Sequence, residues 1–259
     1  MVKKLKKLYV FLVFAFLYAP IIFLMVFSFN NSKLKTTWTG FTFKWYEELF
    51  KNEEILTAFS NTIMVALITT LIATILGTTA AIGIYYTKKW KKALILNVNY
   101  IPVLNPDIVT AISLMVLYRL LSLENGFITV LLSHIMFTTP YVVLSILPKL
   151  KQMSKSLPEA AMDLGATPFY TLRKVIIPEI KPGILSGAVL AFTLSLDDFV
   201  VSYFTTGNGF NTLSVTVFSM ARRGINPAIN ALSTLMFLGV LVLLVVVYKT
   251  SKDPDEVKR

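Results

Sequence analysis

The 259-residue sequence contains no cysteine. Disulfides, thiolate metal centres and cysteine nucleophiles are therefore excluded. It has one histidine, His134, too few for a histidine-built metal site. Acidic residues are scarce, 14 against 25 lysines and arginines. No Gly-x4-Gly-Lys-Ser/Thr phosphate loop is present; the stretch from Gly77 to Gly83 has no lysine and the wrong spacing. The adjacent Asp197 and Asp198 do not suit an aspartyl-protease pair. Such a site needs two carboxylates sharing a proton, and neighbours on a helix point about 100° apart. No catalytic residue, metal site or cofactor bound by the chain is expected, and the chain is not read as an enzyme.

What is abundant is apolar side chain, 55% of all residues. A soluble fold of this size has no core large enough to hide so much. The apolar residues come in long blocks, the pattern of transmembrane helices. Six spans are expected, at residues 8–29, 57–87, 94–121, 126–148, 183–206 and 227–249, each long enough for a hydrocarbon core of about 30 Å. The first resembles a signal peptide but is too long for an h-region and lacks a small-residue cleavage site, so it is read as a retained span. The second and third are long enough to tilt, extend or break.

The net charge of +11 invites a nucleic-acid partner, but no recognised binding module appears and none is expected. The basic residues form short clusters between the apolar blocks, at 3–7, 88–92, 149–181 and 249–259. Fewer lie in the alternate segments. By the positive-inside rule both termini face the cytoplasm. The charge is thus mostly a topology signal, to which anionic inner-leaflet lipid would add attraction. A multi-pass protein of the cell membrane is expected.

Two loops stand out. The first outer loop, 30–56, is rich in aromatics, among them Trp38, Phe41, Phe43, Trp45, Tyr46 and Phe50. It reads as an interfacial belt with a short amphipathic helix, or as a docking surface or an aromatic contact for a cationic substrate. The inner loop, 149–182, is long and punctuated. Ser156-Leu157-Pro158-Glu159 has capping-box spacing. Gly165 suits a left-handed helix end, and Thr167-Pro168 a helix restart. Pro178 and Pro182 punctuate the approach to the fifth span. Two short helices forming a compact knob are expected.

Glu159-Ala160-Ala161-x3-Gly165, followed after nine residues by Val175-Ile176-Ile177-Pro178, resembles the EAA loop of ABC importer permeases. The family pattern closes Ile-x-Leu-Pro; Val and Ile at the two apolar positions are a mild departure. Asn61-Thr62 also looks like this family. Finer similarity points to spermidine/putrescine permeases of the PotC type. It is clearest in Lys44-Trp45-Tyr46, in residues 105–114, in Glu159 to Ala166 and in Ser195-Leu196-Asp197-Asp198. The resemblance implies an all-α membrane protein with six spans, N-in and C-in, of the MetI-like type I ABC importer permease class, forming a single permease domain over 1–259. It implies an ATPase homodimer holding ATP and magnesium, a related PotB-type permease and an extracytoplasmic polyamine-binding protein as partners. Glu159, Ala160, Ala161, Gly165 and Pro178 would couple the chain to the ATPase.

Carboxylates at bilayer depth are costly and mark function. Asp107 and the pair Asp197 and Asp198 fall about 20 Å from the cytoplasmic boundary if their spans are straight helices. Asn105-Pro106-Asp107 reads as a helix start with Asn as cap, and Pro102 and Pro106 suggest a broken third span. Gly187, Ala188, Ala191, Ser195, Asp198, Ser202 and Thr205 share one face of the fifth. That stripe reads as a close-packed interface or as pathway lining. Asp198 needs a partner, from a sister subunit or from a passing substrate. Carboxylates suit a polycation rather than an oxyanion. Asp107, Ser195, Asp197, Asp198 and Trp45 are the candidate substrate pathway. His134 is read as hydrogen-bonded packing rather than a proton relay. Two other readings stand beside this one: an ABC permease for another small solute, and an ion-coupled secondary transporter, which would not need the knob.

Overall fold

A computed structural model of the chain describes residues 2–33, 37–207, 209–223 and 227–251. Lys252, Lys258 and Arg259 of the last basic cluster, and Lys35 of the first outer loop, lie outside them. The described residues are helical, with two isolated β-bridges and no strand. The elements are α1 (Val2–Phe27), α2 (Lys44–Lys51), α3 (Glu53–Tyr86), α4 (Lys89–Leu104), α5 (Asp107–Leu120), α6 (Phe127–Gln152), α7 (Ser156–Asp163), α8 (Pro168–Thr171), a π-helical turn (Leu172–Ile176), α9 (Ile177–Asp197), α10 (Val200–Thr205), α11 (Leu213–Arg223) and α12 (Ala228–Ser251).

Four helical runs are long and apolar enough to cross a membrane: Lys4–Phe27, Glu53–Tyr86, Phe127–Gln152 and Pro168–Asp197. The pair α4 and α5, bent by 103° at Asn105–Pro106, makes a fifth if counted as one span. The described apolar part of α12, Ala228–Val242, is shorter. At 1.5 Å per residue, the 34 residues of α3 run about 50 Å, well beyond a hydrocarbon core.

The chain forms two compact units, one of residues up to Thr57 and from Thr216 onward, the other Ala58–Val215. In the first, α12 packs against α1 and α2. The α1 apolar window is 0% buried, an arrangement suited to lipid and not to water. Asn30 anchors the turn after α1, donating from Nδ2 to the Thr37 carbonyl at 2.8 Å and accepting from the Thr39 N–H at 2.9 Å.

In the second unit α6 and α9 form the most extensive helix pair. Small residues make it possible. A Cβ on Gly187 would stand 3.1 Å from Val142 Cα, and one on Gly183 2.9 Å from Lys149 Cγ. Gly77 of α3 closes on the same residue from another side: a Cβ there would stand 2.6 Å from Val142 Cβ. Ala73 and Ala81 of α3, Ile146 and Leu150 of α6, and Ile180 and Ala191 of α9 complete this core. Close backbone approach is how helices associate where lipid is as apolar as leucine. Asn61 and Thr62 tether the segment before α11. Asn61 Nδ2 donates to the Asn211 carbonyl at 3.1 Å, and Thr62 Oγ1 accepts from the Leu213 N–H at 2.8 Å.

Several expectations need correction. Ser156 is the first residue of α7, not its cap; its hydroxyl lies 2.7 Å from that of Ser154, and the helix start carries no side-chain cap bond. The box with Glu159 therefore does not form. The second knob helix is not separate from the fifth span: α8, the π turn and α9 run on without a stop. Pro178 explains the π turn. Its ring would clash with the carbonyl one α-turn back, and wider i−5 bonding, as from the Ile177 N–H to the Leu172 carbonyl, relieves this. The fifth span is itself broken, because Asp198 is extended (φ −60, ψ 126) between α9 and α10. The third breaks one residue later than the cap reading has it: Asn105 closes α4, and Pro106 takes the N-cap of α5.

Candidate functional site

The two helix breaks meet at one cavity of about 370 Å³. Asp107, Asp197 and Asp198 all line it, with Phe137, Tyr141 and Phe199. Each carboxylate owes its place to a break. Pro106 has no N–H and disfavours helix in the residue before it, so α4 stops and Asp107 opens α5. There the positive end of the helix favours its charge. Asp107 is exposed to the cavity side of the bend, and straight-span depth arithmetic does not apply to it. Asp197 ends α9 and is also exposed.

Asp198 is held differently. Its carboxylate accepts the Val201 N–H at 3.2 Å and the Ser202 N–H at 2.7 Å, capping the short α10. His134 Nε2 of α6 stands 3.4 Å from Asp198 Oδ2. The same nitrogen lies 3.1 Å from Ser202 Oγ, and Nδ1 lies 2.7 Å from Ser195 Oγ. The His134 side chain is 1% exposed and that of Asp198 9%. The partner of Asp198 thus lies within this chain, which neither sequence alternative anticipated. α5 and α10 pack together through Ala111, Leu114, Tyr118 and Val201, and Val201 also lines the cavity.

The structure brings Asp107, Asp197 and Asp198 together and leaves two candidates elsewhere. Ser195 is buried beneath the lining against His134. Trp45 is 1% exposed in the first unit, where its indole N–H donates to the Asn30 carbonyl at 2.6 Å and pins the turn after α1. The aromatics that do line the cavity, Phe137, Tyr141 and Phe199, were not singled out. His134, Phe137 and Tyr141 follow helical spacing on α6, a signal visible in the sequence. Their meeting with α9 and α10 bridges about sixty residues and leaves no local trace.

Chemically the cavity offers carboxylates beside aromatic faces, the pairing that holds an organic ammonium. Among the described residues no group of three or more His, Asp or Glu side chains is placed to hold a metal ion.

In the inner loop, Gly165 adopts φ +84 after α7. The Gly165 N–H donates to the Met162 carbonyl at 2.9 Å and the Ala166 N–H to the Ala161 carbonyl at 3.0 Å, a Schellman end. Thr167 caps the restart by accepting the Tyr170 N–H at 3.3 Å. Glu159, Ala160 and Pro178 are exposed, and Ala161 is partly so. Ala161 and Gly165 share a shallow pocket with Leu164, Ala166, Thr167 and Tyr170. Leu164 is 91% exposed, an apolar side chain at the tip of the knob.

Residues 73–250 match the family model described as "Binding-protein-dependent transport system inner membrane component". The spermidine/putrescine transport system permease protein PotC of Escherichia coli (strain K12) is 39% identical over 241 residues, covering 93% of this chain and 91% of that protein. The putrescine transport system permease protein PotI of the same strain is 40% identical over 233 residues, covering 86% and 82%. Among solved structures, a chain of a bacterial ABC transporter involved in import of the acidic polysaccharide alginate superposes with TM-score 0.77 at 15% identity, covering 96% and 95%. A chain of the inward-facing MetNI methionine ABC transporter superposes with TM-score 0.60 at 18% identity, covering 77% and 95%.

Proposed function

Because the chain belongs to the family of binding-protein-dependent transport system inner membrane components, we propose that it is a permease subunit of an ATP-driven importer of spermidine and putrescine. The observation that carries the substrate is the cavity at the two breaks, lined by Asp107, Asp197, Asp198 and three aromatic rings. Spermidine carries about three positive charges at neutral pH, taking amine pKa values near that of lysine. Carboxylates replace water around its ammonium groups, and Phe137, Tyr141 and Phe199 cover its methylenes and share its charge.

In this reading α4 with α5, α9 with α10, and α12 each count as one span, giving six with both termini inside. A separate ATPase homodimer binds ATP and magnesium. A related PotB-type permease completes the pathway, and an extracytoplasmic binding protein delivers the polyamine. The knob from Glu159 to Gly165 docks on the ATPase, supported by the exposed Leu164 and the shallow pocket behind it. ATPase closure opens the route outward and hydrolysis returns it inward.

The test is uptake of radiolabelled spermidine into vesicles carrying the reconstituted complex, with and without internal ATP. ATP-dependent uptake that requires this subunit supports importer class and substrate together. An intact complex that hydrolyses ATP but takes up no polyamine keeps the class and removes the substrate.

A further inference from the structure

His134 is the one histidine of the chain, and its ring is almost completely buried. It makes its polar contacts on both sides of the break in the fifth span. Ser195 lies three residues before Asp198 on α9, and Ser202 lies four after it on α10. Asp198 itself is at the break. A single imidazole on α6 therefore joins two helix segments and the carboxylate between them. Backbone groups freed at a break need partners inside the protein; here Asp198 meets two of them, and the His134 ring in turn holds Asp198 and the two flanking serines. Backbone N–H groups of α10 satisfy part of the Asp198 carboxylate, and His134 Nε2 supplies the side-chain contact from the facing helix.

The ring chemistry gives the contacts unequal roles. Nε2 reaches Asp198 and Ser202; Nδ1 reaches only Ser195. A neutral ring that donates from Nε2 must accept the Ser195 hydroxyl proton at Nδ1. The Asp198 carboxylate, which only accepts, calls for the proton on Nε2, and the Ser195 hydroxyl, which can donate, completes that tautomer at Nδ1. We propose that His134 is a positioning residue for substrate: it pins the broken fifth span and, through Nε2, holds the Asp198 carboxylate facing the cavity. This rests on the polyamine reading for its substrate, though not for its geometry.

The experiment compares His134→Gln, His134→Asn and His134→Leu in the full complex. Gln places an amide donor near the Nε2 position, Asn places one near Nδ1 only, and Leu supplies bulk alone. Assembly and ATPase activity are measured first, and an apparent KM for spermidine uptake follows. Loss of the contact to a charged group raises KM about tenfold in the Asn and Leu variants, while Gln stays within about threefold of wild type. A second readout does not depend on substrate. The chain has no cysteine, so Phe199→Cys reports the break through its labelling rate with a cationic methanethiosulfonate. His134→Leu and His134→Asn accelerate that labelling, and His134→Gln does not. Assembled Leu or Asn variants with wild-type KM and labelling overturn the proposal, as does equal behaviour of Gln and Asn. If wild type takes up no polyamine but the labelling order holds, the pin stands and the polyamine reading falls.

Discussion

At the scale of single residues, Asp198 carries two duties, capping α10 and facing the cavity. Asp198→Asn separates them. The amide oxygen still accepts a backbone N–H, so the break survives, but the charge offered to an ammonium is gone. We expect uptake to fall about tenfold or more, with the complex still assembled as judged by co-purification of its subunits. Normal uptake by an assembled variant would end the pathway role of Asp198. The three carboxylates were legible in the sequence because charge in an apolar block is conspicuous. Trp45, grouped with the candidate pathway for its aromatic neighbourhood, is buried with its N–H satisfied by the Asn30 carbonyl, which the sequence did not reveal. Ser195 and His134 were seen singly, and the bond between them depends on contact across 61 residues.

At the scale of elements, the knob and the helix breaks show what local pattern can and cannot say. Thr167-Pro168 and Gly165 read correctly because caps are decided by a few adjacent residues. Ser156-x-x-Glu159 has the right spacing but α7 starts one residue earlier than the box requires. Glu159→Ala should therefore leave stability within about 0.5 kcal/mol of wild type, as for an exposed surface change. Its expected effect is on coupling, with stimulation of ATPase activity by the loaded binding protein reduced. Unchanged stimulation and transport would make Glu159 dispensable. The small half of the α9 stripe is packing and the polar half surrounds the break; periodicity alone could not divide them. Gly187→Leu should disrupt the α6–α9 contact, since even a Cβ stands 3.1 Å from Val142 Cα. Overpacking of this kind costs about 1–3 kcal/mol, visible as a lower melting temperature in detergent.

At the scale of the whole molecule, the bilayer is the missing partner of much of the surface. Phe16 is 80% exposed at the middle of α1. In water a lysine there would be harmless. In hydrocarbon it costs about 2.5–3.5 kcal/mol, so Phe16→Lys should lower the fraction of chain inserted, measured by carbonate extraction of membranes. Full insertion would show that α1 is shielded from lipid. Membrane class was legible from composition because no soluble core can hide 55% apolar residues. The continuity of α8 with α9 was not, because a proline ordinarily reads as a stop, whereas here the helix runs through a π turn just before Pro178 and on past it.

That continuity has a mechanical consequence. The run Pro168–Asp197 spans 30 residues, about 45 Å along its axis. One end carries the exposed Phe169 beside the knob, and the other ends where Asp197 and Asp198 meet the cavity. Between them the backbone stays helical, through the π turn at Leu172–Ile176 and past Pro178 and Pro182, with no loop. If the knob takes up a partner's motion, as proposed above, a tilt at the Pro168 end reaches the carboxylates as a sideways stroke, and the same strut serves as a drive shaft.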